Sequence, residues 1–342
     1  MSSRLIGAVA LCAFLAGCAS SPSGPARIVT ETFMIPAADA GIQLHVRNKH
    51  PAGQDRYAPE KIVLMVHGAT YPSETGFDID LPGGSWMEYI AKRGYDVYIV
   101  DVRGYGRSTR PAAMDQPPDG NPPFADTQDA IRDVAAAVDF ILQRRGAANI
   151  NLIGWSWGTT MMGGYTAQNN AKVNRLVLYA PVWVLREPPP FSGAGAYRTV
   201  TKEQAYGRQV RSIPKDRVKE IAPPAYFDKW WAANLATDPV GASRTPPVLR
   251  APNGVLKDIV QHLSKGDGMW DPAQVRVPTF LILAEWDADT PPFMAQEVFA
   301  KLVNAPHRRL VMLPERTHAI ALEKNRMHLI EQIQQFLEES RR

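Results

Sequence analysis

Cysteine is almost absent from this chain of 342 residues. Its two cysteines, Cys12 and Cys18, both lie close to the N-terminus, and the rest of the chain has none. A disulfide framework, a cysteine zinc site, an iron–sulfur site and a cysteine nucleophile are therefore excluded for the folded body.

The chain also lacks a strong excess of charge of either sign. Charged residues make up 21% and hydrophobic residues 45% of it, the formal net charge is +4, and the two signs are interspersed. These values are ordinary for a globular protein and exclude disordered, collagen-like and coiled-coil classes. They indicate no nucleic-acid partner. Because H-E-x-x-H, Walker A and EF-hand patterns are missing too, the sequence implies no metal and no cofactor.

The apolar run at the N-terminus is too short to cross a membrane. Arg4 is followed by an apolar stretch over residues 5–15 and then by the small residues Ala16 and Gly17. A membrane-spanning helix needs about 20 apolar residues, so this stretch has the anatomy of a secretory signal.

The end of this signal, Leu15-Ala16-Gly17-Cys18, resembles the lipobox of bacterial lipoproteins. The resemblance implies a signal peptide over residues 1–17, a lipid on the thiol of Cys18, and a flexible tether over 18–27. It places the protein in the bacterial cell envelope, anchored by lipid to a membrane, with the outer membrane and the periplasmic side preferred. The alternative is an ordinary secretory signal cut near Ala19, which would give a soluble secreted or periplasmic protein.

Continuous apolar runs in the mature chain predict strands that are buried on both faces of a sheet. Two early strands are followed by six such runs, at residues 28–35, 42–46, 62–66, 97–100, 150–153, 176–179, 280–283 and 310–313. Segments with helical spacing lie between most of them. Strands alternating with helices predict an α/β fold with a mostly parallel, eight-stranded sheet.

Residues 186–268 interrupt this alternation with a stretch rich in proline and aromatic residues. A structureless loop of that length is implausible in a compact domain, so we interpret it as a mainly helical lid over the carboxyl edge of the sheet. The alternative is a peripheral packing insertion. The core is then split into two parts, over residues 28–185 and 269–342.

The segment Gly154-Trp155-Ser156-Trp157-Gly158 has the pattern G-x-S-x-G. It follows a predicted strand and precedes a helix-compatible segment, the setting of a nucleophile elbow. The serine of such an elbow sits on a sharp turn, so small residues are needed two positions before and after it. Gly154 and Gly158 meet that need, and Ser156 is the predicted nucleophile.

A serine hydroxyl is a weak nucleophile and needs a base. His318 follows the predicted strand at 310–313, in a loop at the edge where α/β sheets place their sites. It is the predicted base. The five histidines other than His67 and His318 do not follow a predicted strand in this way. His67 is interpreted as a structural residue that braces its loop.

The base in turn needs a carboxylate to orient it. Glu285, Asp287 and Asp289 all follow the strand predicted at 280–283. Asp287 is preferred because it lies four residues beyond the apolar run and four before Pro291. The predicted chain order is serine, aspartate, histidine, which is the order of α/β-hydrolases.

Further motifs strengthen a resemblance to capped serine α/β-hydrolases over roughly residues 28–337. His67-Gly68-Ala69-Thr70 is similar to the family's H-G-x segment, and Asp101 to Ser108 resembles its D-x-R-G-x-G-x-S loop. The resemblance implies that the backbone N–H groups of Ala69 and Trp157 form the oxyanion hole.

This resemblance implies a serine hydrolase acting through an acyl-enzyme, with a small carboxylic ester as substrate. A peptidase similar to proline iminopeptidases, acting on short peptides, is the alternative, although His67-Gly68-Ala69-Thr70-Tyr71 departs from that family's H-G-G-P-G. A non-catalytic envelope lipoprotein is a third interpretation. Aromatic residues predict a partly apolar pocket unless most of them belong to the core of the lid: Trp155, Trp157, Tyr197, Tyr206, Tyr226, Phe227, Trp230 and Trp231.

Overall fold

The computed structural model describes residues 27–340. The predicted signal peptide, Cys18 and all but one residue of the tether lie outside the described residues. Within residues 27–340 no helix is both long enough and apolar enough to cross a membrane.

Ten strands are found in the described residues, and eight of them form one sheet. In chain order the ten are β1 Ile28–Pro36, β2 Gln43–Pro51, β3 Ile62–Val66, β4 Asp96–Val100, β5 Ile150–Trp155, β6 Val173–Tyr179, β7 Tyr197–Thr201, β8 Val248–Pro252, β9 Thr279–Ala284 and β10 Arg308–Leu313. The large sheet has the order β1-β2-β4-β3-β5-β6-β9-β10. Its β1–β2 and β2–β4 pairs are antiparallel and the other pairs are parallel. The predicted α/β fold with a mostly parallel, eight-stranded sheet is confirmed.

Some of the helices in the described residues cover the two faces of this sheet, and others belong to the segment at residues 186–268. The helices are α1 Ser73–Phe77, α2 Trp86–Ala91, α3 Thr127–Arg145, α4 Trp157–Gln168, α5 Lys202–Val210, α6 Val218–Ile221, α7 Pro224–Leu235, α8 Pro239–Ala242, α9 Gly254–Gln261, α10 Pro292–Lys301 and α11 Met327–Glu338. Alternate residues of β3 enter different cores, as the pleat of a strand requires. Leu64 packs in the core that includes residues of α3 and α4, whereas Met65 packs in the core that includes residues of α2 and α11.

The segment expected to be mainly helical also contains strands. It carries α5 to α9, and β7 pairs antiparallel with β8 to form a separate two-stranded sheet. Its own core contains Phe227, Trp230 and Trp231, packed against Ile79 and Leu322 of the main body. Most of the aromatic residues of this segment thus serve its own packing.

The last helix of the segment, α9, is fastened to the main body. The carboxylate of Asp258 accepts a hydrogen bond from the N–H of Thr127 at 2.7 Å, and Lys257 pairs with Asp126 at 2.8 Å. Because both contacts lie at the start of α3, this end of the segment packs beside the sheet. The part of the segment from β7 to α8 is called the lid below.

Candidate active site

Ser156 lies at the junction of β5 and α4 in an unusual backbone conformation. Its φ is 55° and its ψ is −121°, in a region that side-chain-bearing residues rarely adopt. Its backbone N–H donates to the carbonyl oxygen of Tyr179 at 2.9 Å, which ties the turn to β6. This is the strained strand–turn–helix geometry predicted for the elbow.

The two glycines of the elbow have no room for a side chain. A Cβ on Gly154 would lie 2.3 Å from the carbonyl oxygen of Gly158. A Cβ on Gly158 would lie 2.7 Å from the carbonyl oxygens of Val66 and His67. All of these neighbours are backbone atoms that cannot rotate away, so close backbone approach explains both glycines.

His318 and Asp287 are in direct contact. Nδ1 of His318 lies 2.8 Å from Oδ2 of Asp287, and the aspartate is 3% exposed. The other carboxylate oxygen accepts the backbone N–H of Thr290 at 2.7 Å, and the Thr290 hydroxyl donates to Oδ2 at 2.7 Å. These donors hold the carboxylate in a fixed orientation toward the imidazole.

The two competing acids of this loop have other partners. Glu285 accepts the backbone N–H of Glu315 at 2.9 Å. Asp289 pairs with Arg208 at 3.0 Å and with Arg211, both from the lid. Of the three predicted candidates, Asp287 has the only carboxylate within hydrogen-bond distance of His318 in the described structure.

Two aromatic residues at the ends of β5 and β6 contact His318. The hydroxyl of Tyr179 donates to the carbonyl oxygen of His318 at 2.8 Å, and the ring of Trp155 lies 5.8 Å from the imidazole between centroids. Burial alone would lower the pKa of His318, but the carboxylates of Asp287 and Asp289 outweigh it and raise that pKa above its ordinary value of 6.5. The imidazole is thus a stronger base than a free one.

His67 has the bonding pattern of a neutral structural histidine. Its Nδ1 lies 2.7 Å from the carbonyl oxygen of Gly68, and its Nε2 accepts the N–H of Val102 at 3.2 Å. Burial lowers its pKa, which keeps the ring uncharged. Both contacts brace the loop that leads to Ala69, as the sequence predicted.

The predicted oxyanion donors lie on segments that meet at Ser156. A Cβ on Gly68 would lie 2.8 Å from Cβ of Ser156, so the backbone leading to Ala69 passes directly against the serine. Trp157 is the first residue of α4, where N–H groups have no acceptor within the helix and the helix dipole favours negative charge. The side chain of Trp157 points away, since its Nε1 donates to Thr127 at 2.9 Å.

Ser156, His318 and Ala69 line one cavity. Its wall is mixed. The aromatic residues in it are Tyr71, Trp155 and Trp230, and its polar residues include Arg208, Gln209 and Asp289. Of the eight aromatic residues considered from the sequence, Trp155 and Trp230 reach this wall. In residues 27–340 no group of three or more histidine, cysteine, aspartate or glutamate side chains is placed to hold a metal ion.

Several residues of the site were not predicted from the sequence. Arg208 and Gln209 come from the lid, and Arg198 on β7 donates to the hydroxyl of Thr70 at 2.6 Å, beside Ala69. No local pattern marks them, because the contacts with the site join distant segments: Arg198 and Thr70 are 128 residues apart in the chain, and Arg208 and Asp289 are 81 apart. Thr290 is the exception, because aspartate side chains commonly accept hydrogen bonds from the backbone that closely follows them in the chain.

The strand order, the elbow and the aspartate–histidine pair are together typical of one known fold. Residues 61–212 match the family model described as alpha/beta hydrolase fold. The chain has the α/β-hydrolase fold.

Curated proteins similar to this chain include lipases. It is 32% identical to Lipase member M of Mus musculus over 130 residues, which are 36% of this chain and 30% of that protein. It is 25% identical to the Lysosomal acid lipase/cholesteryl ester hydrolase of Homo sapiens over 195 residues, or 56% of this chain and 47% of that protein. The chain thus spans less than half the length of these relatives.

Solved structures resemble this chain over nearly its whole length. A thermophilic esterase from Thermogutta terrifontis matches with a TM-score of 0.59 and 16% identity, covering 90% of this chain and 98% of the esterase. A putative dipeptidyl aminopeptidase IV from Bacteroides ovatus matches with a TM-score of 0.53 and 18% identity, covering 92% of this chain and 36% of that one. At these identities the likeness concerns the fold.

Proposed function

We propose that this protein is a serine hydrolase that cleaves carboxylic esters through an acyl-enzyme. The observation that carries the proposal is the cavity lined by both the strained Ser156 and His318, the histidine that pairs with Asp287. The lipases among its relatives support ester chemistry.

In the proposed reaction the hydroxyl of Ser156 attacks the ester carbonyl while His318 accepts its proton. The oxyanion is stabilised by the backbone N–H groups of Ala69 and Trp157. His318 then protonates the leaving alcohol and activates a water molecule, which releases the acid. Asp287 fixes the imidazole tautomer and stabilises the imidazolium.

The test is turnover of p-nitrophenyl esters and proline arylamides by purified protein without residues 1–18. We expect ester turnover, labelling of the serine by a fluorophosphonate, and a loss on the order of 10⁴–10⁶ in rate for Ser156→Ala. Ser243→Ala, at an exposed serine of the insertion, is the matched control and should keep full activity. Arylamide turnover with little ester turnover would favour the peptidase alternative. If the protein neither turned over any of these substrates nor was labelled by the fluorophosphonate, the proposal that it is an enzyme would be wrong.

We further propose that the protein is a lipoprotein of the bacterial cell envelope, anchored through Cys18. The support is the Leu15-Ala16-Gly17-Cys18 segment at the end of a short apolar run. Mass spectrometry of the mature protein should find an N-terminal, lipidated Cys18, and Cys18→Ser should release the protein from membranes. An unmodified N-terminus, or cleavage at another residue, would contradict the anchor.

A further inference from the structure

Gln209 contributes an unpartnered amide to the wall of the cavity that contains Ser156. Its side chain comes from α5 of the lid, and the residue is 8% exposed. Neither its Oε1 nor its Nε2 has a hydrogen-bond partner among the described residues. A buried amide that lacks both partners is destabilising, and such groups are rare unless a ligand or water satisfies them.

The charged residues near Gln209 are already paired. Arg208 and Arg211 both bind the carboxylate of Asp289. Trp230, also in the wall, has an indole Nε1–H that is buried and has no partner within residues 27–340. The buried side-chain groups of this wall that lack a hydrogen-bond partner among the described residues are thus neutral: the amide of Gln209 and the indole N–H groups of Trp155 and Trp230.

We propose that Gln209 recognises an amide group on the substrate, so that the hydrolysed molecules are esters that also carry a secondary amide. The inference rests on the proposed function. A secondary amide can donate its N–H to Oε1 of Gln209 and accept from Nε2, which satisfies both atoms. A carboxylate has no hydrogen to donate, an ammonium has no lone pair to accept with, and an alkyl chain leaves both atoms unsatisfied.

The experiment uses matched substrates of equal size. The full chain, purified in detergent, is given p-nitrophenyl 4-acetamidobutanoate and p-nitrophenyl 6-methylheptanoate, which differ in having an amide or a branched alkane at the same position. A second pair carries the same two groups on the alcohol half, with acid release followed by pH-stat. In at least one pair we expect kcat/KM to favour the amide by on the order of 10- to 100-fold, because a site with buried polar groups rejects the analogue that leaves them unpaired.

The decisive variant is Gln209→Met, which keeps the volume of the side chain and removes its polar atoms. It should abolish the preference by lowering kcat/KM for the amide ester more than for the alkyl ester, and leave Tm unchanged or raised because a buried unsatisfied group is lost. Gln261→Met, at an exposed glutamine of the same insertion, should keep the preference.

The outcomes separate this inference from the proposed function. A preference that is absent in both pairs, or that survives in Gln209→Met, would overturn amide recognition while leaving ester hydrolysis intact. A large fall in Tm together with equal losses on both substrates would assign Gln209 a structural role instead. Turnover that persists in Ser156→Ala would contradict the proposed function itself.

Discussion

The backbone N–H of Asp289 donates to Oδ1 of Asp287 at 2.9 Å. The two residues are therefore joined through the backbone of one and the side chain of the other, yet their carboxylates have different partners. Asp287 contacts His318, whereas the carboxylate of Asp289 binds Arg208 and Arg211 of the lid. Asp289 thus connects the lid to Asp287, the acid that orients His318.

This arrangement predicts very different effects for substitutions along the loop. Asp287→Asn should lower kcat by on the order of 10⁴, because an amide at this place favours the wrong imidazole tautomer. Asp289→Asn should lower kcat by about 10-fold or less, since its charge acts on His318 through space and one pKa unit corresponds to about 1.4 kcal/mol. Glu285→Gln is the control and should have the wild-type kcat. Equal losses for Asp287→Asn and Asp289→Asn would contradict the assignment of the acid.

The pH dependence of the reaction should report the charges around His318. The imidazole acts as a base only when it is neutral, so kcat/KM should rise with pH through a pKa above 6.5. Asp289→Asn removes a charge that favours the protonated ring and leaves Arg208, which disfavours it. The rising limb of the profile should therefore move to lower pH, and a limb that stays in place or moves upward would contradict this.

The strands and the elbow of this site could be predicted from the sequence for a physical reason. Strands buried on both faces require continuous apolar runs, and Ile62–Val66 is such a run. The elbow requires small residues at fixed distances from Ser156, which leaves a local pattern in the chain. Asp287 was harder to assign, because three acids follow one strand and only the fold decides which one reaches His318.

The lid was less predictable because its contacts join distant segments. Arg208 pairs with Asp289, which lies 81 residues further along the chain, and no sequence pattern in either segment predicts this contact. The strand Val248–Pro252 follows two prolines and ends in a third, a composition that suggests a loop. Its pairing with Tyr197–Thr201 is produced by tertiary packing, which outweighs local preference.

Glu323 should make the stability of the protein depend on pH. It is fully buried, and Thr317 donates to it through both its backbone N–H and its hydroxyl. Burial outweighs these hydrogen bonds and raises the pKa of Glu323 to about 7, from an ordinary value of 4.5. Because the pKa is raised in the folded state, the stabilisation is complete below pH 4.5 and is lost as pH rises through 7.

Glu323→Gln tests this linkage, because glutamine can still accept from Thr317 and does not ionise. Its free energy of unfolding should exceed that of the wild type by at most about 3 kcal/mol at pH 8, and the difference should shrink toward pH 5. Denaturant unfolding at a series of pH values measures it. Glu331→Gln, at an exposed position of α11, is the control. A difference that is constant with pH would show that Glu323 is not titrating in this range.

The elbow should tolerate no methyl group at Gly158. In Gly158→Ala the new Cβ would meet backbone oxygens of Val66 and His67 at 2.7 Å, so either the elbow or β3 must move. We expect the free energy of unfolding to fall by about 1–3 kcal/mol or more, together with a loss of turnover as Ser156 shifts. Denaturant unfolding and kcat are the two measurements.

Gly207→Ala is the matched control for this substitution. Gly207 lies inside α5, and a Cβ there would have no neighbouring atom within 4 Å. Alanine is a better helix former than glycine, so this variant should gain about 0.5–1 kcal/mol in stability and keep its turnover. The contrast isolates the close backbone approach at the elbow, because both substitutions add the same methyl group. If Gly158→Ala behaved like Gly207→Ala, the elbow would not be as tightly packed as its geometry requires.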